Sequence, residues 1–94
     1  MFVRVVRFTD VSAEQMDRLD QRIREAGGPP PGVRSTGLRV IFDESQGTAV
    51  VLQEYGSAQD MEEAAKVFDA MDSSETPGRR ASVDAGELKL DLHP

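Results

Sequence analysis

Five side chains in this sequence have the chemistry to hold a small molecule: Arg4, Arg7, Arg39, Gln53 and Tyr55. Arg39 alternates with Leu38, Val40 and Phe42, so it points away from the face those apolar residues bury. There a guanidinium can clamp a carboxylate or a phenolate through two hydrogen bonds. Gln53 and Tyr55 share one phase of the following strand and can donate hydrogen bonds to the same ligand. Arg4 and Arg7 lie in the first apolar run, where each either points into an enclosed barrel or snorkels at its mouth. The plain structural alternative pairs Arg39 with Glu87 or with an acid of a partner subunit, and packs Tyr55 at a dimer rim.

Other chemistries find no support. His93 is the only histidine, and with no histidine or cysteine at ligand spacing it reads as part of a tail, not as a base or metal ligand. Asp43-Glu44 and Glu62-Glu63 lack the oxygen-ligand spacing of a calcium loop and read as solvated. There is no Gly-rich phosphate loop, Ser/His/Asp set or paired-carboxylate motif, and Gly27-Gly28 follows a helix instead of opening one. Met16, Met61 and Met71 sit at helical spacing and read as core filling. No metal and no cofactor is expected.

The 94 residues make one domain. A chain of this size buries only roughly 60 to 65% of the surface it exposes unfolded. With 17 acidic against 11 basic side chains, the net charge of −6 disfavours nucleic acid and anionic membrane surfaces, which require neutralisation by Lys and Arg. Cysteine is absent, which removes disulfides, thiolate nucleophiles and thiolate metal sites together. Phe2 to Phe8 carries Arg4 and Arg7 and so lacks the unbroken apolar core of a signal peptide, and no apolar run is long enough to span a membrane. A cytoplasmic protein is the expectation.

The elements that position these residues follow from periodicity. Phe2 to Thr9 reads as a central strand, with Phe2, Val6 and Phe8 on one face and Val3 and Val5 on the other. Ser12 with Gln15 forms a capping box that opens a helix along Ala13, Met16, Leu19, Ile23 and Ala26, and Gly27-Gly28 before Pro29-Pro30-Pro31 ends it. Gly37 to Tyr55 reads as a hairpin turning at Asp43 to Gly47. Its second strand, Ala49 to Leu52, is apolar on both faces. Ser57 caps a second helix with Met61, Ala64, Ala65, Phe68 and Met71 along one side, closed by a turn at Asp72 to Gly78. The last segment places Val83 and Ala85 in one phase and Leu88, Leu90 and Leu92 in the other, which predicts a bulge or a bend in the last strand at Gly86.

The order β-α-β-β-α-β fits an α+β, ferredoxin-like fold: a four-stranded antiparallel sheet with two helices on one face. Leu38, Val40, Phe42 and Leu88, Leu90, Leu92 are assigned to the helix-covered face. On the other face stand Ile41, residues of the Ala49 to Leu52 run and two residues of the first strand, with Arg39, Glu87 and Lys89 as polar company. Leaving several such apolar side chains wet forfeits roughly 1.5 to 3 kcal/mol each relative to full burial. Two sheets packed face to face around a partly polar cavity would cover them, so a homodimer is expected.

Pro31-Gly32-Val33 entering a strand, the Asp43 to Gly47 turn, the passage from Gln53 to Glu62, and the closing Ser82 to Leu88 together resemble the antibiotic-biosynthesis-monooxygenase-like domains of the dimeric α/β-barrel superfamily. The likeness covers nearly the whole sequence. It implies a homodimer whose two sheets form a barrel, often with a small-molecule pocket in each protomer, in a group that includes cofactor-independent oxygenases and haem-degrading enzymes. The Asn, Trp and His on which the haem-degrading branch relies have no counterpart here beyond His93, and the Asn and Trp of the quinone-forming oxygenases are also missing. The expected function is a homodimeric small-molecule-binding domain, extending to a cofactor-independent monooxygenase-like enzyme acting on an aromatic or polyketide-like compound. The other reading is a non-catalytic dimeric assembly or regulatory module.

Overall fold

The computed structural model describes residues 1–71 and 76–93. Its elements run β1 (Phe2–Thr9), α1 (Ala13–Ala26), β2 (Ser35–Asp43), β3 (Thr48–Tyr55), α2 (Ala58–Asp69) and β4 (Arg79–Glu87). The strands form one antiparallel sheet in the order β2-β3-β1-β4, the ferredoxin-like arrangement. Both expected helix starts are present. Ser12 accepts from the Gln15 amide while the Gln15 side chain reaches back to the Ser12 amide, and Ser57 accepts from the Asp60 amide at 3.1 Å. The hairpin turn places Gly47 at φ 67°, where its carbonyl receives the Val11 amide at 2.9 Å.

Register decides the faces. Val6 lies opposite Val51 on one side and Val83 on the other, and Val40 lies opposite Val51. Phe2, Arg4, Val6 and Phe8 therefore share the helix-covered face with Ala49, Val51, Gln53 and Tyr55. Two clusters fill it. Val6, Phe8, Val11, Ala49 and Val51 gather Met16, Phe42 and Val83, while Val33, Tyr55 and Ala64 gather Phe2, Met61, Val67 and Phe68. The second cluster holds α2 down, because Ala64 lets the helix approach closely. Helix α1 buries none of its residues and reaches the core through Met16. Its cap and its i,i+4 pairs, Asp20 with Arg24 at 2.9 Å among them, support it locally.

Four expectations are corrected. The face opposite Arg4 on β4 is taken by Val83 and Ala85, whereas Leu88, Leu90 and Leu92 follow the strand and stand exposed. The register shift in that pairing falls between Arg7 and Phe8, opposite Ser82 and Arg80, and not at Gly86. Glu87 lies opposite Phe2 on the helix-covered side and pairs with Lys89 at 3.0 Å, so it is no partner of Arg39. Strand β2 starts at Ser35 rather than Gly37, with a register irregularity between the two. The bare face carries Val3, Val5, Ile41, Val50 and Leu52, as the alternation requires, with Ile41 57% exposed. Of the turn placed after α2, residues 72 to 75 lie outside the described residues.

Candidate functional site

A chamber of about 160 Å³ lies between α2 and the β1–β4 half of the sheet. Met61, Ala65, Val83 and Ala85 supply its apolar wall, and Arg4, Glu62, Asp69 and Arg80 its polar one. The local sequence explains the void. Ala65 on the helix and Ala85 opposite Arg4 are both short, so packing leaves space where larger side chains would close it.

Arg4 is the central group, because alternation within β1 forces it onto the covered face, where it is only 3% exposed. Its Nη1 donates to Gln53 Oε1 at 3.1 Å, and the Tyr55 hydroxyl donates to the same oxygen at 2.9 Å. The guanidinium carbon stands 5.2 Å from the centre of the Phe68 ring, within range of a cation–π contact. Its charge is weakly balanced. The ion pair to Asp69 is long, 3.9 Å, and that carboxylate is already held by Arg80 at 2.8 Å. Burial, reinforced by the positive charge of Arg80, lowers the pKa of Arg4 from its ordinary value, while Tyr55 and Asp69 oppose the shift. A guanidinium starts so far above neutrality that it stays charged. Burial raises the Tyr55 phenol, with Arg4 opposing, so Tyr55 is a protonated donor at neutral pH.

The five residues singled out in the sequence divide between the two faces. Arg4, Gln53 and Tyr55 come together in one hydrogen-bonded network on the helix side. Arg7 and Arg39 are exposed on the bare side, Arg39 opposite Leu52, so Arg39 cannot share a ligand with Gln53 and Tyr55. The reason is parity. Arg39 pairs with an even position of β3, whereas 53 and 55 are odd and face the helices. The chamber accordingly lies beneath α2 and not on the bare face where two sheets would meet. Phe68, Asp69 and Arg80 were missed. Asp69 follows Met61 and Ala65 at intervals of four, so an acid on the apolar side of α2 was the available signal.

Among the described residues no three His, Cys, Asp or Glu gather into a metal-ligating group, and no helix is long and apolar enough to cross a membrane. No family model matches the sequence, and no curated protein matches it. Among solved structures, the chain is similar to a crystal structure from Deinococcus radiodurans described as a putative antibiotic biosynthesis monooxygenase. The TM-score is 0.63 at 17% identity, over 100% of this chain and 98% of that one. That likeness agrees with the β-α-β-β-α-β order and the strand order of the sheet.

Proposed function

We propose that this protein is an antibiotic-biosynthesis-monooxygenase-like domain that works as a homodimer and binds a small aromatic acid or phenol in the chamber under α2. The observation that carries the binding site is Arg4, a buried guanidinium beside a partly apolar cleft, whose one ion pair among the described residues is stretched to 3.9 Å. An anionic oxygen would complete its coordination while the ring occupies the wall of Met61, Ala65, Val83 and Ala85. Size narrows the ligand. An enclosed apolar cavity of about 150 Å³ is known to take benzene, so a partly open space near 160 Å³ suits a single ring. The similarity to an antibiotic biosynthesis monooxygenase-type structure supports the family reading.

Cofactor-independent oxygenation of the bound ring is the extension of this reading. A non-catalytic dimeric module is the second reading, and one observation favours it: Arg4 and Tyr55 are hydrogen-bond donors, which suits holding an anion better than abstracting a proton. The test is calorimetry with a panel of substituted benzoates, phenols, quinones and haem. Single-ring acids are expected to bind, and Arg4→Met to weaken them by about ten- to a hundredfold, the worth of a lost charge-assisted hydrogen bond. Binding that Arg4→Met and Arg80→Ala leave unchanged, or no binding by any single-ring compound, would sink the proposal. Oxygen uptake by the ligands that do bind then separates enzyme from module.

A further inference from the structure

The chamber under α2 has two polar ends and an apolar middle. At one end the Arg4 guanidinium and Arg80 stand with a single carboxylate, Asp69, which Arg80 already holds at 2.8 Å. Two cations against one anion leave that end positive. At the other end Glu62 lines the chamber, is exposed, and makes no hydrogen bond or ion pair among the described residues. That end is negative.

Topology fixes the separation. Helix α2 follows Tyr55, the β3 residue opposite Phe2, and its last turn meets Arg80, which lies opposite Phe8. The helix therefore runs alongside β1 in the same direction. Glu62 and Asp69 share one side of it about two turns apart, or about 10.5 Å along the axis. The Arg4 head belongs to the Asp69 end, because it lies against Phe68 and reaches toward Asp69. Between the ends Ala65 lines the chamber from the helix, and Val83 and Ala85 line it from β4.

We propose, on the aromatic-acid reading above, that Glu62 makes this a two-ended site, selecting a benzoate that carries a hydroxyl or an amine on the ring carbon opposite its carboxylate. The ligand carboxylate sits at Arg4 and Arg80, the ring lies along Ala65, Val83 and Ala85, and the far substituent donates to the Glu62 carboxylate. Length agrees. A para-substituted benzoate with a hydrogen bond of about 2.8 Å at each end spans about 12 Å, within side-chain reach of the separation along α2. A donor next to the carboxylate falls at the positive end, where Glu62 cannot meet it. A second carboxylate in the far position meets Glu62 as a like charge.

Calorimetry at neutral pH with benzoate, 4-hydroxybenzoate, 4-(aminomethyl)benzoate, 2-hydroxybenzoate and terephthalate tests this on the full chain. Both ligands with a para donor are expected to bind roughly three- to tenfold more tightly than benzoate, and terephthalate more weakly than benzoate. Glu62→Gln is expected to abolish the advantage of 4-(aminomethyl)benzoate and to leave benzoate and 2-hydroxybenzoate within about twofold. Glu62→Lys is expected to reverse the order, with terephthalate ahead of 4-(aminomethyl)benzoate. The position is exposed and helical, and Gln and Lys are both good helix formers, so the variants keep the fold. A wild-type protein that does not distinguish these ligands, or a preference that both Glu62 variants retain, overturns the role of Glu62. Benzoate binding that still falls with Arg4→Met then leaves the aromatic-acid reading standing. No binding by any of the five compounds overturns both.

Discussion

Arg4 is costly to bury, and its neighbours show how the fold tolerates it. One hydrogen bond goes to Gln53, a ring lies against the guanidinium, and a distant carboxylate offsets part of the charge. A buried ion with so loose a partner adds little to stability, and a well-packed apolar side chain in its place is often neutral or favourable. Arg4→Met should therefore keep the thermal midpoint within a few degrees of wild type while losing the anion, which separates a ligand role from a structural one. Tyr55 carries the opposite kind of signature. Its phenol is raised above the ordinary value of 10.0 by burial. Below that value folded and unfolded chains both hold the proton, so the group imposes no pH dependence. As pH rises past it the unfolded chain ionises first, and stability falls until the folded phenol also ionises. Tyr55→Phe should remove that part of the alkaline decline while costing about 1 kcal/mol at neutral pH through the lost bond to Gln53. Urea denaturation at about pH 8 and about pH 11 on both proteins measures the difference.

At the scale of elements, the two helices are held by different means. Ala64 is fully buried against the sheet side of α2, so that helix owes its place to packing. α1 has a complete capping box and charged i,i+4 pairs but no buried residue, and its exchange protection should be lower than that of α2. The start of β4 is the tightest joint. Gly78 sits at φ 55°, and a Cβ there would overlap the Thr9 carbonyl oxygen and lie 2.7 Å from that of Asp10. Backbone on both sides cannot yield as a flexible side chain would. Gly78→Ala should cost about 2 to 4 kcal/mol, seen as a large fall in the urea midpoint, because strain and overlap add.

For the molecule as a whole, the bare sheet face is the feature that governs association. Val3, Val5, Val50 and Leu52 are half-buried there and Ile41 is exposed, an apolar strip bordered by Arg7, Arg39 and Asp84. A homodimer on this face should respond to Val50→Asp. In one copy the new carboxylate lies opposite Arg7, so the fold survives. Between two sheets the same charge is desolvated, and sedimentation equilibrium should shift to the single-copy mass. A variant that remains dimeric would place the interface elsewhere. That outcome would leave the chamber under α2 untouched, because the chamber is built within one chain.

Sequence periodicity alone determined the element order, the caps at Ser12 and Ser57, the Gly47 turn and the two faces of β1, since each depends on neighbours within a few residues. It also placed Arg4, Gln53 and Tyr55 among the candidates, because polar side chains inside apolar strands are visible without coordinates. Only the tertiary structure decided that these three meet while Arg39 does not. That depends on register between β2 and β3, and a shift of one residue would exchange the faces. Asp69 and Arg80 joined the site for the same reason: α2 and β4 are distant in sequence from β1, and their approach to Arg4 is set by packing across the sheet rather than by any local pattern.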